Sequence, residues 1–201
     1  MKRATLSLLL VLAALLTGCA GYDPRIASRE TLYLGSTGGV VSRPGPASFD
    51  NVSYWDGDSA SGPPSILISL GEQRAYFYRG NTLVGISMVS TGREGFSTPD
   101  GNFKIIQKNR DHRSNLYGDY VDAAGNVVVR DVDVKKDPKP PGTVFRGAPM
   151  PYFMRIHGGV GMHAGFIPGY PASHGCIRLP EQMAAHFFAN TTTGTPVRVT
   201  H

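Results

Sequence analysis

Residues 65–89 read SILISLGEQRAYFYRGNTLVGISMV, and the fold class turns on this stretch. Ile66-Leu67-Ile68, Arg74 to Tyr78 and Leu83 to Val89 are short runs of alternating or solidly β-branched and aromatic character, too short for helices. Arg79-Gly80-Asn81 separates two of them with turn-forming residues, so they read as strands in hairpins. Downstream, Thr98-Pro99-Asp100-Gly101 is a turn before a strand from Asn102 to Gln107, and Ala124-Gly125-Asn126 is another before Val127-Val128-Val129. Pro196 to Val199 closes the chain as a last strand. One helix is expected, starting at Pro180 with Glu181 where the helix dipole favours an anion. It carries Met183, Phe187 and Phe188 as its apolar stripe and ends near Asn190. The expected architecture is mainly β with one supporting helix.

Between these elements, residues 130–147 alternate charge with valine and then run through Asp137-Pro138-Lys139-Pro140-Pro141-Gly142, where proline removes amide donors. This segment reads as a long surface loop. Upstream, residues 20–64 are rich in Gly, Ser, Pro and Asp and read as a tether with little core of its own. The cluster Gly35 to Gly39 lacks the Gly-Lys-Ser/Thr ending of a phosphate loop.

The N-terminus has the order of an export signal: Lys2 and Arg3, an apolar run from Leu6 to Leu16, then Thr17 and Gly18 before Cys19. The apolar run is shorter than the roughly 20 residues that span a bilayer as a helix. Leu16-Thr17-Gly18-Cys19 resembles a bacterial lipobox, so the expected organisation is a signal peptide over 1–18, a lipid-anchored tether over 19–64 and a folded domain over 65–201. Removing residues 1–18 takes Lys2 and Arg3 and lowers the formal charge from +5 to +3. That balance lacks the dense basic stripe of a nucleic-acid binder. The chain has two cysteines. If Cys19 carries lipid, Cys176 has no intramolecular partner, and an unpaired thiol in an oxidising compartment points to a reactive role.

Residues 149–178, PMPYFMRIHGGVGMHAGFIPGYPASHGCIR, hold that thiol and three of the six histidines. Tyr152 to Ile156 and Val160 to His163 read as strands joined by His157-Gly158-Gly159, which places His163 at a strand end. Acyl transfer needs a nucleophile, a base, a group orienting that base, and donors for the oxyanion. Cys176 is the candidate nucleophile and His163 the candidate proton acceptor and donor. Gly175 permits a tight turn, so the amides of Gly175 and Cys176 are the candidate oxyanion donors. With no carboxylate nearby, the Ala164 backbone carbonyl is the candidate orienter of His163. A zinc site built from His163, His174 and Cys176 is the chemical rival, disfavoured because no His-Glu-x-x-His, paired-cysteine motif or neighbouring base carboxylate accompanies it. No cofactor is expected. His112 and His201 are expected to be solvated, and His186 a helix-surface or partly buried group.

Ser173-His174-Gly175-Cys176-Ile177-Arg178 resembles the Ser/Thr-His-Gly-Cys-x-Arg/Asn signature of the L,D-transpeptidase (YkuD-type) catalytic domain, and His163 resembles its catalytic histidine. The resemblance extends to Glu72 through Tyr76, Ser90-Thr91-Gly92, Thr98 through Phe103, and Pro168-Gly169-Tyr170-Pro171-Ala172. His157-Gly158 also resembles the family's Ile-His-Gly segment, with 18 residues before Cys176 against 12 for His163. His163 is preferred because it ends a strand, whereas His157 falls in the turn.

The resemblance implies a YkuD-like β-sandwich of mixed sheets. It implies a cysteine acyl-enzyme formed on peptidoglycan tetrapeptide stems with release of D-alanine, and transfer to an amine that gives 3-3 cross-links. Attachment of a protein and L,D-carboxypeptidase action are the alternatives on the same fold, and a non-catalytic peptidoglycan-binding lipoprotein is the alternative of another class. Ser173, His174, Tyr170 and Arg178 are the implied substrate-binding residues, the arginine suited to a carboxylate by its planar fork. The expected location is the periplasmic face of the bacterial envelope, with Cys19 anchored in the outer membrane.

Overall fold

The computed structural model describes residues 50, 52–57 and 59–201. The expected signal peptide and the lipidation site Cys19 lie outside the described residues. The strands are β1 (Tyr54–Trp55), β2 (Pro64–Ser69), β3 (Arg74–Arg79), β4 (Thr82–Met88), β5 (Gly101–Lys104), β6 (Gln107–Val121), β7 (Val127–Asp133), β8 (Val144–His157), β9 (Val160–Ala164), β10 (Ile177–Leu179) and β11 (Pro196–Thr200), with helix α1 (Glu181–Ala189) between the last two. Six strands form one sheet in the order β1-β4-β3-β2-β11-β5, and five form a second in the order β10-β9-β8-β6-β7. Both sheets are mixed, since β11 runs parallel to β2 and β10 parallel to β9 among otherwise antiparallel pairs.

The period-two reading of residues 65–89 corresponds to the inward face of the first sheet. Ile66 and Ile68 of β2, Ala75 and Phe77 of β3 and Val84 of β4 are all buried. They share one core with Met154 and Ile156 of β8, Met162 of β9, Ile177 and Leu179 of β10, and Met183, Ala184 and Phe187 of α1. Phe77 and Phe187 pack with ring centroids 5.0 Å apart, so the helix stripe seats directly on β3. Lys108 of β6 closes the helix C-terminus, its ammonium donating to the carbonyls of Phe188 and Thr191 at 2.5 Å each.

Three segments depart from the sequence reading. The stretch read as tether includes part of the fold: Trp55 of β1 pairs with Gly85 and is buried in the core, edge-on to Phe77 at 4.9 Å. A lone tryptophan among turn formers carries no periodic pattern, and its place is set by a docking site on a distant part of the chain. The expected strand over 102–107 divides at Ile105. The Ile105 amide donates to Thr195 and the Ile106 amide to Arg155, so the chain crosses here from the first sheet to the second. The segment 130–147 is a loop only over 134–143, and its two ends belong to β7 and β8. β6 runs for 15 residues of largely polar sequence that offer no apolar alternation.

β6 and β8 pair in two registers. Arg113 faces Pro149 and Gly118 faces Gly147, so Ser114 to Tyr117 bulge out of β6. The Ser114 hydroxyl accepts from the Leu116 and Tyr117 amides at 3.2 and 2.9 Å and folds the bulge. β8 passes so close that a Cβ on Gly147 would lie 1.9 Å from the Ser114 carbonyl oxygen. Glycine is required there by the approach of two backbones.

Candidate active site

The site forms where β9 and β10 run side by side. Their parallel register pairs His163 with Arg178 and Ala164 with Leu179, which brings the end of the histidine strand beside the start of the strand that follows Cys176. The segment from Gly165 to Cys176 loops out between them. Its root is closed by the Gly165 amide donating to Leu179. His163, Arg178, Ser173, His174 and Cys176 line one cleft of about 860 Å³. Its opposite wall is β6 from His112 to Asp119, with Asp131 and Val132 of β7 and Arg146 to Met150 of β8.

His163 is buried, and its Nδ1 lies 2.8 Å from the Ala164 carbonyl oxygen. A carbonyl only accepts, so Nδ1 carries the proton and Nε2 keeps a free lone pair, the tautomer a general base requires. Burial is the main cause that lowers its pKa to about 4; the Ala164 carbonyl opposes the shift, and Arg178 and His112 add to it. The imidazole is therefore neutral at neutral pH. Cys176 is half-buried, and its Sγ lies 3.7 Å from the Gly159 carbonyl, toward which it donates. Burial raises the thiol pKa, opposed by the Gly161 amide and by the charges of Arg178 and Arg155. The resting pair is a neutral thiol and a neutral imidazole, so proton removal accompanies attack on substrate instead of preceding it.

The turn before Cys176 is held from several sides. The Ser173 hydroxyl donates to the Cys176 carbonyl at 2.5 Å and accepts from the Gly175 amide at 3.0 Å. This changes the expected role of Gly175: its amide is engaged within the turn, while the Cys176 amide has no partner among the described residues. Gly175 is required for its positive φ of 106°. Thr98 accepts from the Gly92 amide at 2.9 Å and donates to the Gly175 carbonyl at 2.8 Å. Ser90 exchanges two backbone bonds with Arg178, and Thr91 accepts from the Ala172 and Ser173 amides.

Behind Thr91 stands buried Gln73. Its side-chain amide donates to Leu70 and to the Thr91 hydroxyl at 2.6 and 2.7 Å and accepts from the Thr91 amide at 3.0 Å. Gln73 and Thr98 were legible as parts of the resembling motifs; their tie to the Cys176 turn was not.

His174 is enclosed by Tyr117 from the β6 bulge, stacked at 4.3 Å, and by Phe96 edge-on at 4.7 Å. Arg93 donates to its Nε2 at 2.7 Å, which places the proton on Nδ1. Burial, then Arg93 and Arg178, lower its pKa.

Two expected placements do not hold. The Tyr170 side chain is exposed and does not line the cleft; its contribution is a backbone carbonyl that accepts from Ser90 Oγ at 2.8 Å. His112, expected to be solvated, is half-buried in the cleft wall with its ring stacked 4.2 Å from Phe153. His157 is exposed at the end of β8, 5.5 Å from the Phe103 ring and outside the cleft lining. His186 stacks on Trp55 at 4.9 Å, and His201 is exposed.

Comparison with known proteins agrees with this fold. The sequence profile of the YkuD L,D-transpeptidase catalytic domain matches residues 63–199. Among solved structures, an L,D-transpeptidase from Stackebrandtia nassauensis is similar at 20% identity with a TM-score of 0.51, over 71% of this chain and 57% of that one. An L,D-transpeptidase from Mycobacterium smegmatis is similar at 18% identity and 0.52, over 69% and 59%. Another, solved in complex with imipenem, is similar at 21% and 0.51, over 68% and 58%. At such identities the likeness is one of fold. The chain spans less than two thirds of the length of these solved relatives. No curated protein matches the chain.

Proposed function

The chain belongs to the L,D-transpeptidase catalytic-domain family, and from that premise we propose that it transfers the acyl group of peptidoglycan tetrapeptide stems through Cys176, releasing D-alanine and forming 3-3 cross-links. The observation that carries the reading is the orientation of His163: with Nδ1 engaged by the Ala164 carbonyl, Nε2 is free in the cleft that also exposes the Cys176 thiol.

In the proposed reaction Cys176 Sγ attacks the carbonyl between the third residue and the terminal D-alanine as His163 Nε2 takes the thiol proton. The oxyanion of the tetrahedral intermediate is met by the Cys176 amide, the donor left open by the Ser173 turn. His163 returns the proton to the departing amine, leaving a thioester. The amine of a second stem then attacks the thioester, His163 accepts the proton lost by that amine, and Cys176 departs to recover it. Ser173 holds the turn, and Arg178 and His174 face the substrate from the cleft wall. Arg178 has no acidic partner among the described residues and suits the leaving residue's carboxylate.

The order of Met1 to Cys19 supports export and lipidation of Cys19, which would hold the folded domain at the periplasmic face of the outer membrane. Palmitate labelling of the chain, absent from a Cys19→Ser variant, is the expected check.

The purified chain is incubated with tetrapeptide muropeptides and the products read by mass spectrometry beside a Cys176→Ala control. Dimers that have lost D-alanine, absent in the control, are the expected result. Trimmed monomers alone would replace cross-linking by carboxypeptidase action, and unchanged substrate would overturn the reading.

A further inference from the structure

The turn before Cys176 is gripped from outside by a hydroxyl on the segment between β4 and β5. Thr98 is buried, and its Oγ1 accepts from the Gly92 amide at 2.9 Å and donates to the Gly175 carbonyl at 2.8 Å. A hydroxyl has one proton and an amide N–H only donates, so the Gly92 contact occupies a lone pair and leaves the Thr98 proton for Gly175. The donor at Gly92 has no room to back away. A Cβ placed there would lie 2.0 Å from the Phe96 carbonyl oxygen and 2.7 Å from the Thr98 nitrogen, so the two backbones are pressed together. The Arg93 amide donates to the Ser173 carbonyl and the Phe96 amide to that of Arg93, which ties the segment both to the turn and to itself.

The Gly175 carbonyl and the Cys176 amide belong to one peptide unit. That unit is planar and trans, so its C=O and N–H point in opposite directions, and whatever orients the oxygen orients the hydrogen. Gly175 supplies little restraint of its own, since it has no Cβ and sits at a φ of 106°. The Ser173 hydroxyl holds the Gly175 amide and the Cys176 carbonyl, the groups on either side, and touches neither end of the unit between them. Among the described residues Thr98 alone does. Accepting a hydrogen bond at the oxygen also draws electron density from the amide nitrogen, which makes its N–H a stronger donor.

We propose that Thr98 is a positioning residue for the oxyanion donor: by holding the Gly175 carbonyl it aims and polarises the Cys176 amide, so that charge developing on the substrate oxygen meets a donor already in place. The inference rests on the proposed function, which assigns that amide to the oxyanion. Thr98 lies outside the residues that line the cleft and acts on the reaction only through the peptide plane. A donor fixed in this way needs no reorganisation when the tetrahedral intermediate forms.

The test separates two reactions of one thiol in the full chain, both read at Cys176 by mass spectrometry because the chain also holds Cys19. Alkylation by iodoacetamide displaces iodide and forms no oxyanion. Acylation by p-nitrophenyl acetate passes through a tetrahedral oxyanion and needs no recognition of a stem peptide. Thr98→Val removes the hydroxyl at nearly the same volume. It should lower the acylation rate roughly ten- to a hundredfold, less than the 10²–10³ that loss of a whole oxyanion donor costs, and leave alkylation within about threefold. With a tetrapeptide stem the loss should fall on kcat and leave KM unchanged. Thr98→Ser, which keeps the hydroxyl, should restore acylation to within about threefold. Thr98→Ala removes the same bond with a smaller side chain and decides the matter where the valine variant fails to fold. Alkylation that falls as far as acylation would make Thr98 a support of the turn and overturn the proposal, as would acylation unchanged without the hydroxyl. Ester acylation that depends on Thr98, in a chain that turns over no stem peptide, would overturn the proposed reaction and leave the positioning role in place.

Discussion

Alkylation of Cys176 by iodoacetamide, followed from about pH 5 to about pH 9, reports how much thiolate the resting site holds, because the thiolate is the nucleophile. Burial keeps the thiol above its ordinary pKa and His163 near 4, so no thiolate–imidazolium pair exists between those limits. The thiolate fraction at pH 7 then lies below the few per cent that a free cysteine carries. The alkylation rate should rise roughly tenfold per pH unit up to about pH 8, with no plateau at the acid end.

Replacing His163 with alanine removes a neutral ring. Alkylation at pH 7 should therefore change by less than about threefold, while transpeptidation, which needs Nε2 as a base, should fall by about 10²–10⁴. A rate plateau between about pH 5 and pH 7, or a loss of alkylation as large as the loss of turnover in His163→Ala, would mean a preformed ion pair. Either result would refute the neutral resting state.

The same histidine sets a stability slope. Between 6.5 and about 4 the unfolded chain holds a proton on His163 that the folded chain lacks, so stability is complete above the upper value and falls as pH drops toward the lower one. The loss is about 3 kcal/mol, read as a urea midpoint that decreases over that window, and His163→Gln should flatten it. Gln73→Leu leaves the Thr91 amide without its buried acceptor and should cost about 1–3 kcal/mol of stability. Transpeptidase kcat should fall with it, because Thr91 anchors the Ser173 turn. In Gly147→Ala the new methyl meets the Ser114 carbonyl. The β6 bulge must shift at a cost of about 1–3 kcal/mol, and with Tyr117 displaced from His174 the KM for a tetrapeptide stem should rise.

The sequence by itself determined the elements whose signal is local. Ile66, Ile68, Ala75 and Phe77 alternate because one face of each strand is buried. Gly158-Gly159 marks a turn, and Met183 and Phe187 define a stripe on one side of a short helix. Cys176 and His163 stood out as a candidate pair because acyl transfer demands particular side chains and a tight turn, and the fold places both in one cleft. The tertiary structure decided what depends on a partner far along the chain. Trp55 joins the core only because the surface around Phe77 and Phe187 receives it. β6 is a strand because β8 supplies its hydrogen bonds on one side and β7 on the other, a cause that leaves no period in a polar sequence. Which amide beside Cys176 remains open was settled by the Ser173 hydroxyl closing on Gly175. Arg155 reads in sequence as one more charge before a hairpin; only the fold brings Gln107, Phe153 and the Gly158 carbonyl around it. Periodicity and turn chemistry act over a few residues, whereas burial of a charge and the partner of a hydrogen bond are properties of the assembled chain.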